Sequence, residues 1–131
     1  LVVKPTAAVI WHAALTPDGK HLLYNASGQL RMYPLSGGPE RVLTQSEGRN
    51  NWPSVSPNGR LVAFGSSRLG NFDLFILDLD QNTTRRLTSN TSMDARPNWS
   101  PDGQRIARIG TDHGSSGHWF GASASERPLL P

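Results

Sequence analysis

The chain has 131 residues and no cysteine. Disulfide bonds, zinc-thiolate sites and thiol catalysis are therefore excluded together, although this absence does not choose a cellular compartment. Long hydrophobic runs are also missing, because no stretch approaches the roughly 20 apolar residues that a membrane-spanning helix requires. We therefore expect no insertion into a membrane.

Clustered positive charge is equally scarce. The formal net charge is +3, yet the basic residues are spread along the chain and only Arg85 and Arg86 are adjacent. A nucleic-acid-binding surface would need a basic stripe or patch. We therefore expect no nucleic-acid partner.

Signals for catalysis and for metals are weak. No Gly-x-Ser-x-Gly nucleophile elbow occurs, and the sequence around His113 has serines without a strand-to-helix context. The histidines show no spacing typical of metal ligands. Asp78 and Asp80 alternate along a strand end and could face a hard cation, but such residues more often begin a turn. We expect the chain to have no enzymatic activity and to bind no metal and no cofactor.

What the chain does contain is one five-residue motif that occurs three times. Each copy is a Ser or Thr followed by Pro, Asp or Asn, and Gly; the copies lie at Thr16–Lys20, Ser56–Arg60 and Ser100–Gln104. Proline sets φ for the first central position of a turn, and glycine accepts the positive φ that other residues resist. The steps are 40 and 44 residues, a period typical of four-stranded propeller blades.

Short apolar segments flank each turn, which indicates a β-hairpin. In the second unit a polar loop over 65–71 leads to a third strand at Phe72–Leu79, and a fourth strand follows at Thr83–Thr88. The first unit matches with a shorter loop. In the third unit, adding 44 to Leu74–Ile76 places a third strand at His118–Phe120, whereas the residues beyond it are poor strand material. We predict blades at about 10–44, 52–88 and 96–131, the last degenerate after 109.

The segments Arg86–Thr88 and Asp94–Ala107 carry a resemblance. Their Arg-Leu-Thr strand end and Trp-Ser-Pro-Asp-Gly turn resemble the blade signature of TolB-type β-propellers. This resemblance implies closed rings of about six blades and an exported protein of the periplasm or cell envelope, while the residues themselves leave the cytoplasm open. It specifies fold far better than function, since these blades occur in envelope proteins, in peptidases and in sensor domains.

The fold class predicted is all-β, with about three four-stranded antiparallel blades forming half of a six-bladed propeller. Two open end faces of roughly 300–600 Å² each would leave about 7–15 kcal/mol of burial unrealised per face. We therefore expect the faces to be covered. A second copy closing a ring head to tail and a longer chain that supplies the missing blades both satisfy this requirement.

The meander places the inter-blade segments and the loops between second and third strands on one rim, which is the richer one in polar residues. The candidate partner-binding residues on this rim are Arg49, Asn50, Asn51, Trp52, Arg68, Asn71, Asp94, Arg96, Asp112 and His113. Each could equally be part of a solvated loop. Among the aromatic residues, Trp11 and Trp52 stand nearest to strand starts and are the ones expected to reach a rim.

Four functions remain open on these residues. The first is a non-enzymatic module that binds a protein or peptide. The second is the propeller portion of a larger serine hydrolase or peptidase, which gates access of substrate. The third is a carbohydrate- or cation-binding propeller, and the fourth is a truncated relic without a selected role.

Overall fold

The computed structural model describes residues 10–45, 48–89 and 93–110, together with the backbone of 118–121. The described part consists of β-strands, turns and loops. The predicted positions Asp112 and His113 lie outside the described residues. Within these ranges, no helix is both long and apolar enough to cross a bilayer.

The strands form three separate antiparallel sheets, which are called blades 1, 2 and 3 in chain order. Blade 1 contains β1 (Ile10–Leu15), β2 (His21–Ala26), β3 (Gln29–Pro34) and β4 (Arg41–Val42). Blade 2 contains β5 (Asn50–Val55), β6 (Leu61–Leu69), β7 (Asn71–Asp78) and β8 (Thr83–Arg86). Blade 3 contains β9 (Asp94–Trp99), β10 (Arg105–Gly110) and β11 (His118–Gly121). The all-β fold class is confirmed.

The polar stretch 65–71 differs from the loop predicted there. Strand β6 continues through it to Leu69, and only Gly70 turns the chain, with φ of 115°. The register shifts between Ser66 and Leu69, which marks a β-bulge. A bulge absorbs extra residues without ending the ladder, so polar composition alone did not mark the end of the strand.

The three repeated turns have the same hydrogen bonds. In the first, the Thr16 hydroxyl accepts a hydrogen bond from the backbone N–H of His21 at 3.0 Å, and Asp18 accepts from Lys20 N–H at 2.9 Å. The glycine φ is 69° here and 77° and 70° in the other turns. The same donors and acceptors recur around Ser56 and Ser100. Each turn is therefore stabilised by atoms of its own repeat.

The Leu-Thr strand ends also serve one repeated purpose. Thr44 and Thr88 each accept a hydrogen bond from a buried backbone N–H, of Leu30 and Leu74 respectively, at 3.0 Å. The preceding leucines donate their own N–H groups to the carbonyls of the same two residues. The threonine side chain thus extends pairing beyond the short outermost strand, which satisfies a donor that would otherwise be buried without a partner.

Two hydrophobic clusters hold the blades together. One joins blades 1 and 2 and includes Leu23, Leu30, Phe64 and Phe75; the other joins blades 2 and 3 and includes Trp99. Alternate residues of β6 and β7 enter opposite clusters, as the two-residue period of a strand requires. Both faces of blade 2 are consequently buried.

Trp99 connects blade 3 to blade 2. Its indole N–H donates to the Ser54 carbonyl at 3.0 Å, and its side chain is only 8% exposed. The residue at the same repeat position in blade 2, Val55, packs on the cluster between blades 1 and 2. The corresponding residue in blade 1, Leu15, is 58% exposed. The leading face of blade 1 therefore exposes a side chain whose equivalents in the other two blades pack against the preceding blade.

Candidate functional site

Each innermost strand contains one extra residue near its start. The register with the neighbouring strand shifts between Ile10 and Ala13 in β1, and between Asn51 and Ser54 in β5. The corresponding shift in β9 falls between Ala95 and Asn98. The three shifts fall within one residue of the same repeat position, so the innermost strands of all three blades are bulged at the same rim.

The residue four positions before each repeated turn lies in this bulge, and we call His12, Trp52 and Arg96 the bulge triplet. Trp52 and Arg96 have φ of 56° and 52°, although neither is a glycine. Each is followed by proline, which normally favours an extended conformation in the preceding residue. Strained residues of this kind cost about 1–3 kcal/mol and cluster at functional sites.

Trp52 occupies the centre of the triplet. Its ring centroid lies 5.6 Å from that of His12 in an edge-on contact and 5.1 Å from that of Phe72. The indole also rests on Gly65, where an added Cβ would approach the Trp52 Cε3 to 2.8 Å. The repeat therefore needs glycine at position 65, whereas the equivalent positions are Asn25 and Ile109.

The pKa of His12 is lowered in the folded protein. Burial lowers the pKa of this imidazole below 6.5, and the positive charge of Arg96 lowers it further, against a hydrogen bond with Asn25 that raises it. The His12 ring is therefore neutral near pH 7, and the positive charge of the bulge triplet is carried by Arg96.

A cavity of about 720 Å³ opens beside the triplet, between blades 1 and 2, and we call it the rim pocket. Trp11, which is 73% exposed, and Arg49 line it. Its other described lining residues are His12, Asn25, Ser27, Gly28, Gly48 and Asn51. A concave site of this size with a few polar groups is typical of ligand-binding cavities.

A second cavity of about 660 Å³ follows the innermost strands of all three blades, and we call it the inner groove. Its described lining comes from β1, β5 and β9 and includes the whole bulge triplet. Trp11 and His12 line both cavities. The rim pocket and the inner groove therefore meet at these two residues.

Buried amides hold the rim pocket in place. Asn25 donates to the Asn51 side-chain oxygen at 2.7 Å and accepts from the His12 backbone N–H at 2.8 Å. Asn50 is fully buried and donates to the Gly28 carbonyl, while its own oxygen accepts from Arg68 at 3.1 Å. The Asn25–Asn51 and Asn50–Gly28 bonds cross from blade 1 to blade 2, so the pocket walls are fixed relative to each other.

Five of the residues that sequence analysis selected lie around the boundary between blades 1 and 2: Arg49, Asn50, Asn51, Trp52 and Arg68. Arg68 lies over the Phe75 ring, with the guanidinium carbon 4.5 Å from its centroid. Asn71 is half-buried and begins β7.

The remaining described residues of that set lie in blade 3. Arg96 is exposed and lines the inner groove, whereas Asp94 is fully buried and forms an ion pair with Arg108. Asp94 therefore supports β9 from inside the blade. Sequence analysis did not select His12, Asn25, Ser27 or Gly28. Alignment of the three repeats identifies His12, because it occupies the position of Trp52 and Arg96.

The two aspartates considered as a cation site have other partners. Asp78 accepts from Arg60 at 2.8 Å and from the backbone N–H groups of Asp80 and Gln81. The bond from Arg60 lowers the pKa of Asp78 most, and the two backbone bonds lower it further. Within the described ranges, no group of three or more acidic or histidine side chains is arranged to hold a metal ion.

Comparison with known proteins places these blades in a family. The profile of the TolB beta propeller domain matches residues 2–125. The chain is 48% identical over 107 residues to a TolB homolog of Chlorobium luteolum, which covers 78% of this chain and 24% of that protein. It is also 32% identical over 101 residues to the uncharacterized peptidase YuxL of Bacillus subtilis, covering 69% of this chain and 15% of that one.

A solved structure gives the same result. The putative TolB from Agrobacterium tumefaciens superimposes with a TM-score of 0.78 at 25% identity, over 88% of this chain and 46% of that one. The chain thus spans less than half the length of each of these relatives. With the profile match over nearly its whole length, it belongs to the TolB beta propeller domain family.

Proposed function

We propose that this chain is a non-enzymatic interaction module that binds a protein or peptide segment at the bulged ends of its innermost strands. The observation that carries the proposal is that the rim pocket and the inner groove meet at Trp11 and His12. The two cavities are therefore adjacent, one at the rim and one along the axis of the arc. An extended segment that crosses these two side chains would occupy both cavities.

The composition of this surface supports a protein partner. Trp11 presents 73% of its surface to solvent, and tryptophan and arginine are enriched among residues that dominate binding energy at interfaces. A further relative points in the same direction: the Tol-Pal system protein TolB of Anaeromyxobacter dehalogenans is 31% identical to this chain over 101 residues. By the same resemblance, we propose the periplasm or cell envelope as its location.

A second function has a specific observation in its favour. The relation to the peptidase YuxL is compatible with a propeller that gates a catalytic domain elsewhere in a longer chain. In that case the bulge triplet would contact substrate on its way to a separate site.

We further propose that the end faces of the arc are covered by a second copy or by further chain. Leu15 and Val42 on blade 1 are 58% and 49% exposed, and Ile109 on blade 3 is 44% exposed. Sedimentation of the purified chain distinguishes the two coverings. A dimer that Leu15→Asp dissociates supports ring closure by two copies, and a stable monomer contradicts it.

Selection from a random peptide library tests the interaction site. We expect enriched peptides to protect the backbone amides of β1 and of residues 48–52 from hydrogen exchange. Trp11→Ala should weaken their binding about thirtyfold, since truncation of a hot-spot tryptophan costs at least about 2 kcal/mol.

The control is Arg41→Ala, a change of an exposed residue outside both cavities. Enriched peptides that protect the three repeated turns instead would contradict the proposed site. Failure to enrich any peptide that depends on Trp11 would do the same.

A further inference from the structure

The arginines of the described residues fall into groups with different partners. Four of them form ion pairs with carboxylates; the pairs are Arg31 with Glu40, Arg60 with Asp78, Arg86 with Asp73, and Arg108 with Asp94. Arg49 and Arg96 have no carboxylate partner among the described residues, and both are exposed. Unlike those four arginines, Arg49 and Arg96 are not neutralised by a carboxylate of the described residues.

Arg49 and Arg96 also line different cavities of the surface proposed above. Arg49 lines the rim pocket and Arg96 lines the inner groove. Trp11 and His12 line both cavities and so lie between them. Among the described residues that line either cavity, none is aspartate or glutamate. The joined surface therefore consists of two positively charged ends and an aromatic middle.

The middle is uncharged near neutral pH. Arg96 and burial keep the His12 imidazole in its neutral form, and Trp11 offers a flat exposed ring. An apolar side chain can pack on these rings, whereas a carboxylate would find no full positive charge on them. Negative charges of a ligand are consequently favoured beside Arg49 and Arg96 and not over Trp11 and His12.

From this charge pattern we propose that the partner segment is acidic, with an apolar side chain over Trp11 flanked by carboxylates that pair with Arg49 and Arg96. The inference rests on the proposed function and specifies the chemistry of its ligand. Arginine binds carboxylates through two parallel N–H bonds, which gives orientation as well as affinity. Because Arg49 and Arg96 are exposed, the binding energy of these ion pairs should decrease as the salt concentration rises.

Three end-capped, fluorescein-labelled hexapeptides test the inference by fluorescence anisotropy. They alternate leucine with glutamate, with glutamine or with lysine. We expect the glutamate peptide to bind about tenfold more tightly than the glutamine peptide, a difference equivalent to about 1.4 kcal/mol. Its affinity should fall as salt rises. The lysine peptide should bind most weakly.

Charge reversal assigns the effect to the two arginines. Arg49→Glu and Arg96→Glu should each weaken the glutamate peptide about tenfold and narrow its advantage over the glutamine peptide. Arg41→Glu is the matched control, because Arg41 is an exposed arginine outside both cavities. Arg49→Gln and Arg96→Gln should give smaller losses in the same direction. Circular dichroism verifies that each variant is folded.

The inference and the proposed function fail in different ways. If the glutamate and glutamine peptides bind equally, and Trp11→Ala weakens both, then the interaction site stands and the acidic partner is wrong. Equal losses with Arg41→Glu and Arg96→Glu would also overturn the acidic partner, because general charge would explain the binding. If Trp11→Ala affects no peptide, including those selected from a library, the proposed function itself fails.

Discussion

The two rims of this arc differ in how closely the three repeats resemble one another. At the rim with the repeated turns, three copies of one sequence make the same hydrogen bonds with the same glycine geometry. At the bulged rim each blade also has a register shift, but the residue in the bulge is histidine, tryptophan or arginine, and only the tryptophan and the arginine have a positive φ. Backbone irregularity is shared while side-chain chemistry is not.

This difference indicates which rim serves folding and which serves recognition. A turn that has to form in every blade tolerates little variation, since its bonds are local and each is needed for the hairpin. Strained bulges that display unlike side chains bring no equivalent gain in stability. The predictions below test whether the molecule divides its residues in this way.

The largest contrast is expected between two tryptophans. Trp99→Ala removes a side chain that packs between blades 2 and 3 and donates to Ser54. It should lower the free energy of unfolding by about 3–5 kcal/mol. Trp11→Ala removes an exposed ring and should change it by less than about 0.5 kcal/mol. Urea denaturation followed by circular dichroism measures both, and similar losses would contradict the division between core and recognition surface.

The threonines at the strand ends should show equal effects in two repeats. Thr88→Val leaves the buried N–H of Leu74 without its acceptor, and Thr44→Val does the same to Leu30. Each change should cost about 1–3 kcal/mol. Thr84→Val, in an exposed position of β8, is the control and should have little effect. Thermal unfolding of the variants checks this, and unequal losses at positions 44 and 88 would show that the repeats are not equivalent.

The turn glycines should come next in size. Gly19 and Gly59 have positive φ, and nothing lies within 4 Å of a Cβ added at either one. Alanine there would be strained but not obstructed, at a cost of about 1–2 kcal/mol. Gly65→Ala should respond differently, since its Cβ would collide with Trp52. Urea denaturation of all three variants measures the losses of stability. If Gly65→Ala leaves the tryptophan fluorescence unchanged, the added Cβ does not disturb Trp52, and the expected difference from the turn glycines is wrong.

The smallest expected effect is a dependence of stability on pH through His12. Its pKa in the folded protein lies below 6.5, so the unfolded chain binds more protons between the two values. Stability should therefore decrease as pH falls below about 6.5, and this loss should be complete below the folded pKa. His12→Gln should remove that portion of the pH dependence. Unfolding at several pH values measures it, and NMR titration of the imidazole gives the pKa directly.

The sequence predicted the repeated turns and strand ends well because their bonds are local. The hydroxyl of residue 56 and the amide of residue 61, for example, lie within a single hairpin. Strand β11 (His118–Gly121) also lies where a spacing of 44 residues from β7 placed a third strand. Local chemistry and period together were enough for the fold class.

The bulges were not predicted, since register depends on the neighbouring strand and not on composition. The left-handed conformation of Trp52 gave no signal, because proline after it favours extended backbone. Nor did the sequence identify Arg108 as half of a buried ion pair. Its buried partner Asp94 lies across a strand pair, 14 residues away in sequence, so only pairing of β9 with β10 brings them together.

Because each repeated turn is stabilised by atoms of its own repeat, a blade carries its closing device with it wherever it is copied. Gene duplication could therefore lengthen such an array by whole units without inventing new hairpins. Each added blade must then acquire only two further features. These are the apolar residues that pack against its neighbour and the bulge residue that lines the inner groove.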